Sequence, residues 1–200
     1  MTPIQAAVSL CALISILGCS SIASAENYSL KPSYAQPIDR PQINPIAIEV
    51  NLFHRGMKKQ NLEDYPGAIS DYTEFLKTNP THLLAYSNRG YAKAMQNDLI
   101  GSMADLNRAI ELAPSADTYN ARGNVKAMAG NKIGSVRDFN RAIRLDRNFA
   151  DAYYNRAISR HDLGDIHGAK SDFAKAAQLF HRQQDLGGYQ QSREWLDRLN

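Results

Sequence analysis

The chain has 200 residues, 44% of them hydrophobic and 22% charged, with a net charge of +3. Length and composition fit one domain, or one domain with a tail, and exclude a collagen, a polytopic membrane protein and a wholly disordered polymer. So small a charge also argues against nucleic acid as a partner, because a phosphate-binding surface needs clustered Lys and Arg.

Residues 1–25 contain no Asp, Glu, Lys, Arg or His. Their apolar run, 6–18, is shorter than the roughly 20 residues a membrane-spanning helix needs. It fits the core of an export signal, and Ala23-Ser24-Ala25 fits a small-x-small cleavage site, although no Lys or Arg precedes the run. A second reading stays open. Ile16-Leu17-Gly18-Cys19 resembles a bacterial lipoprotein box, which would put lipid on Cys19 and the protein at a membrane surface. An uncleaved anchor or a wrongly assigned start is a third. The expectation is an exported protein, periplasmic, lumenal or secreted, with a lipid anchor as the alternative. Cys11 and Cys19 are the only cysteines. The body of the chain therefore has no disulfide, zinc ribbon or thiol nucleophile.

Residues 26–48 hold four of the eight prolines, Pro32, Pro37, Pro41 and Pro45. Proline at this spacing opposes helix and removes ladder donors from a strand, so the segment reads as an extended linker.

From residue 49 the chain repeats itself. Arg55-Gly56, Arg89-Gly90, Arg122-Gly123 and Arg156-Ala157 recur at intervals of 34, 33 and 34. An acid and a large apolar residue follow in each unit: Asp71-Tyr72, Asp105-Leu106, Asp138-Phe139 and Asp172-Phe173. Pro80 and Pro114 close the first two units. Each unit reads as two helices, for example Leu84 to Gln96 and Leu99 to Leu112, with Asn97-Asp98, Gly130-Asn131 and Gly164-Asp165 as turns. Small residues recur where paired helices must meet closely: Gly56, Gly90, Gly123 and Ala157 on the first helices, Ala68, Ser102, Ser135 and Ala169 on the second. Tyr86, Tyr119 and Tyr153 fill the gaps between. The last unit leaves an apolar face that needs a cover. Trp195, Leu196 and Leu199 supply a capping helix from Tyr189 to Leu199, after a break at Gly187-Gly188.

This pattern resembles the tetratricopeptide repeat family. The residues that carry the resemblance are Tyr86, Gly90, Ser102, Leu106, Ala109 and Pro114, with their equivalents in units 49–82, 83–115, 116–149 and 150–183. The chain departs from it at Phe75, where a small alanine is usual, and at Arg147 and His181, where a proline is. The resemblance implies an all-α, right-handed superhelical solenoid of four helix-turn-helix repeats, with residues 184–200 as a C-terminal cap.

Charges follow the same period. Arg55, Arg89, Arg122 and Arg156 are expected to pair with Asp71, Asp105, Asp138 and Asp172, either within a repeat or with the neighbour. Lys59, Lys93, Lys126 and Arg160 lie four residues beyond each arginine, on the same helix face. His161 and His167 flank a turn that the repeat already explains, so no metal site is expected. No phosphate loop, nucleophile elbow or His-Glu-x-x-His motif is present, so neither catalysis nor a cofactor is expected.

In the family that the chain resembles, the first helices line a concave groove that takes a peptide or a partner helix. Periodicity assigns to that groove Phe53, His54, Met57 and Gln60, then Leu84, Ser87, Asn88 and Tyr91. Asp117, Asn120, Asn124 and Met128 follow, then Tyr154, Asn155, Ile158 and His161. Asparagine suits an extended chain because it both donates and accepts. Some family members clamp the acidic C-terminus of heat-shock chaperones with basic residues. Here Phe53, Asp117 and Ala121 stand at the basic positions and only Asn88 matches, which argues against that role. The sequence points to a non-catalytic scaffold or adaptor that binds another protein outside the cytoplasm, or, as the alternative, a lipoprotein scaffold of an envelope complex. Self-association through an imperfectly covered end is a further use of the same surfaces.

Overall fold

The computed structural model describes residues 45–199, with side chains from residue 52 onward. The stretch read as an export signal, Cys19 and the stretch read as linker as far as residue 44 lie outside the described residues.

Among the described residues nine helices follow in order: α1 Pro45–Asn61, α2 Tyr65–Thr78, α3 Leu83–Met95, α4 Leu99–Leu112, α5 Ala116–Met128, α6 Lys132–Leu145, α7 Ala150–Asp162, α8 Ile166–Arg182 and α9 Leu186–Arg198. No strand occurs among the described residues. Each helix packs on its neighbours in sequence, and α1, α3, α5 and α7 also touch one another in that order. The first helix of each pair therefore builds one continuous face. The fold is an all-α tetratricopeptide-type solenoid.

The turns inside the repeats share one chemistry. Glu63, Asn97, Gly130 and Gly164 adopt positive φ, between 60° and 83°. The next residue, Asp64, Asp98, Asn131 or Asp165, caps the second helix by accepting from the backbone N–H of Gly67, Gly101, Gly134 or Gly168 at 2.8–2.9 Å. Those four glycines leave room for the cap, since a Cβ there would collide with the cap's own side chain.

Packing depends on the predicted small residues. Ala68, Ser102, Ser135 and Ala169 are fully buried, as are Tyr72, Leu106, Phe139 and Phe173. A Cβ on Gly123 would stand 2.5 Å from the Phe139 ring, and one on Gly56 would stand 2.7 Å from Tyr72. Phe75, at the alanine position, is buried against Leu52, Phe53 and Tyr86, in the same cluster as Leu76 and Ala85.

Two boundaries differ from the sequence reading. Helix α1 starts at Pro45, inside the stretch read as linker, because proline in a first helical position gives up an N–H that no turn would use. Gly187 and Gly188 are not a break. They lie in the first turn of α9, and the turn is Gln183–Asp185, with Gln184 at φ 62°. Asp185 caps the Gly188 N–H at 2.9 Å, and the missing side chain at 188 admits the Phe180 ring. The cap then covers the last repeat: Trp195 stacks on Phe173 at 5.2 Å and 7°, while Leu196 and Leu199 pack on the cluster of Ala157, Ala169 and Phe173.

Candidate functional site

Beneath the inner face lies a row of ion clusters. Arg55, Arg89, Arg122 and Arg156 each grip the aspartate sixteen residues on with two parallel bonds of 2.6–2.9 Å. Bidentate geometry of this kind is specific to the planar guanidinium. The second cation, Lys59, Lys93, Lys126 or Arg160, closes on the same aspartate at 2.6–2.9 Å. Tyr86, Tyr119 and Tyr153 place a ring 5.3–5.5 Å from the guanidinium of their repeat. Hydrogen bonding from Arg55 holds the Asp71 carboxyl below the usual range. At Asp138, burial pushes upward, and bonds from Arg122 and Lys126 outweigh it, so the carboxyl titrates low and stays ionised.

Three of the four arginines also reach back across a repeat boundary. Arg89 donates to Thr73 Oγ1 at 3.2 Å, Arg122 to Asn107 Oδ1 at 2.8 Å and Arg156 to Asn140 Oδ1 at 2.6 Å. The acceptors lie two residues after the aspartate of the preceding repeat. Sequence reasoning missed them. Their signal is their spacing alone, because a polar residue on an outer helix is otherwise unremarkable.

The clusters anchor the backs of α3, α5 and α7, and their fronts line two adjoining open cavities. One, of about 530 Å³, is lined by Tyr91, Asn120, Asn124, Met128, Asn155 and Ile158, with Met95, Val125 and others between them. The second, of about 480 Å³, is lined by Gln60, Leu84, Ser87, Asn88, Tyr91 and Asp117, among others. Tyr91 and Ala121 belong to both. Asn155 donates to Asn120 at 3.1 Å, which ties α7 to α5 across the floor. Tyr72 is fully buried, and burial lifts its phenol above the usual range while Asn88 works against that. Leu84, Tyr91, Met95 and Met128 are 40–56% exposed. That is a large apolar surface to leave to solvent on one face.

Five residues assigned to the groove line neither cavity. Phe53 packs into the core of the first repeat, with Phe75 and His82 ring centroids 5.3 and 4.8 Å away. Tyr154 packs on Phe173 and Phe180. Both rings are long enough to turn from the inner face toward the neighbouring helix. Met57 is exposed on α1, and His54 precedes it on the same helix. His161 sits 5.2 Å from Trp195, under the cap. Among the described residues no group of three His, Cys, Asp or Glu is placed to hold a metal, and no helix is long and apolar enough to cross a membrane.

Comparison with known proteins agrees with this architecture. A tetratricopeptide repeat family model matches residues 150–180. Tetratricopeptide repeat protein 36 of Xenopus tropicalis is 36% identical over 63 residues, 32% of this chain and 31% of that protein. The match thus spans about a third of that relative's length. The crystal structure of MamA protein superposes with a TM-score of 0.60 at 22% identity, covering 76% of this chain and 85% of that one. The first tetratricopeptide domain of Spaghetti (RPAP3), bound to the HSP90 peptide SRMEEVD, superposes with a TM-score of 0.56 at 22% identity, covering 58% and 93%. Residues 150–180 match the tetratricopeptide repeat family, and the described residues share the fold of its solenoids. In tetratricopeptide terms, its four repeats differ little at the buried clusters and strongly on the inner face. Clusters of one kind recur at Asp71, Asp105, Asp138 and Asp172, whereas the cavity-lining residues change from repeat to repeat.

Proposed function

We propose that the protein is a non-catalytic docking scaffold that holds a segment of another protein against the inner face of α3, α5 and α7. The observation that carries this reading is the pair of adjoining open cavities that share Tyr91, lined by exposed apolar side chains and asparagine amides. A row of anchored amides on a rigid floor can read the backbone of an extended chain, and the apolar hollows can take its side chains. Support also comes from the structural neighbour that holds an HSP90 peptide. The reading places the scaffold outside the cytoplasm, on the strength of residues 6–25, with lipid on Cys19 as the alternative.

The test is capture from native extract by the full chain and by the triple variant Asn88→Ala, Tyr91→Ala, Asn124→Ala. A partner retained by the first and lost with the second supports groove docking. Equal retention by both moves the interface elsewhere. Membrane partitioning that disappears in Cys19→Ala decides for the lipid anchor, and export with unchanged solubility in that variant decides against it.

A further inference from the structure

The internal ion clusters leave an electrostatic imprint on the groove. Helices α3, α5 and α7 carry six cations: Arg89, Lys93, Arg122, Lys126, Arg156 and Arg160. All six close on Asp105, Asp138 or Asp172 behind the groove floor. A cation so held has its charge neutralised within the fold and offers little to a ligand. Of the three acids on the same helices, Asp162 pairs with Lys132 at 2.7 Å, and the other two are placed differently. Asp117 and Asp151 stand in the first turns of α5 and α7. Neither forms an ion pair among the described residues, and Asp117 lines the mouth of the 480 Å³ cavity.

These acids crowd one end of the inner face. The Asp151 carboxyl is held above its usual range, first by desolvation and then by the like charges of Asp185 and Asp117. Acids at helix N-termini gain from the helix dipole, but the dipole brings no counter-charge to relieve their mutual repulsion. A cation arriving from outside would do so. Apolar hollows beside uncompensated carboxylates therefore select a ligand of one polarity.

Resting on the groove reading above, we propose that the occupant is a cationic segment: its apolar side chains fill the hollows on either side of Tyr91, and its Lys or Arg residues meet Asp117 and Asp151. An acidic segment, such as the HSP90 peptide held by the structural neighbour, has the wrong sign here.

The test selects random dodecapeptides, displayed on phage, against the full chain in low salt, with parallel selections against Tyr91→Ala and Asp117→Lys/Asp151→Lys. The most enriched peptides are then synthesised and their affinities measured by fluorescence anisotropy. The expected set is rich in Lys and Arg beside Leu, Phe or Tyr. Its affinity falls about three- to tenfold in Asp117→Asn/Asp151→Asn, falls further in Tyr91→Ala, and its basic bias vanishes on the charge-reversed chain. Peptides that need Tyr91 but are not basic, or that ignore Asp117→Asn/Asp151→Asn, overturn the charge assignment and leave the groove reading standing. No enrichment, or enrichment indifferent to Tyr91→Ala, overturns both. Circular dichroism confirms the fold of each variant, and Asn124→Ala replaces Tyr91→Ala if that chain loses helicity.

Discussion

The first and third repeats carry the same three-residue cluster in different surroundings. In the first, Arg55 is 52% exposed in gripping Asp71. In the third, Arg122 is 13% exposed, Asp138 is fully buried, and Arg141 adds a third cation at 3.5 Å. Arg122 also reaches back to Asn107 in the repeat before it. An identical motif is thus a half-solvated ion pair in one repeat and a buried link between units in another. Water and salt screen the first far more than the second.

The largest expected effect separates the two directly. Asp138→Ala leaves Arg122 and Lys126 without their counter-charge in a buried site and should cost about 3–5 kcal/mol. Asp71→Ala should cost clearly less, because Arg55 can turn to water. Urea unfolding of both variants checks this, and equal losses would break the comparison. Acid reads the same contrast. Both carboxyls titrate below their unfolded range, so their contribution is complete above about pH 4 and is lost as pH falls through the folded values. Thermal midpoints should be flat near neutrality and fall on the acid side, and Asp138→Asn should remove more of that fall than Asp71→Asn.

Next in size is Gly123→Ala. The new Cβ would lie 2.5 Å from a Phe139 ring that is fully buried and cannot yield. The overpacking cost of about 1–3 kcal/mol should outweigh the helix propensity gained. Gly90→Ala meets Leu106 at 3.1 Å and should be near neutral in the same denaturation series. Asn140→Ala, which deletes the 2.6 Å bond from Arg156, should cost about 1 kcal/mol. Thr73→Ala should cost less, since its bond is longer and solvent-exposed. The smallest effect has the opposite sign. Ser102 is fully buried and its hydroxyl has no hydrogen-bond partner among the described residues, so Ser102→Ala should stabilise by up to about 1 kcal/mol. Ser135, bonded to Ser159 at 2.9 Å, should lose stability on the same change.

Period, helix pairing and charge pairing were legible because four copies of one pattern reinforce one another. An arginine, a small residue and an aspartate at fixed offsets can meet only if the two helices fold back together. Positions that occur once were less legible. Pro45 opens a helix because nothing in its first turn needs the missing donor. Gly188 looks like a breaker until Phe180 is seen against it. Phe53 and Tyr154 fall on the inner face by period, yet turn their rings into the core, since periodicity places a Cα and not the far end of an aromatic side chain. Thr73, Asn107 and Asn140 gave no signal within any single repeat.

The arginines that span two repeats also act as fasteners in a spring. A pull along the row of helix pairs loads each boundary through its backward bond, and those bonds tighten along the chain, 3.2, 2.8 and then 2.6 Å. By these bonds alone the boundary between the first and second repeats is held most loosely, so under load extension should begin at α2 and α3, which force spectroscopy on the full chain checks.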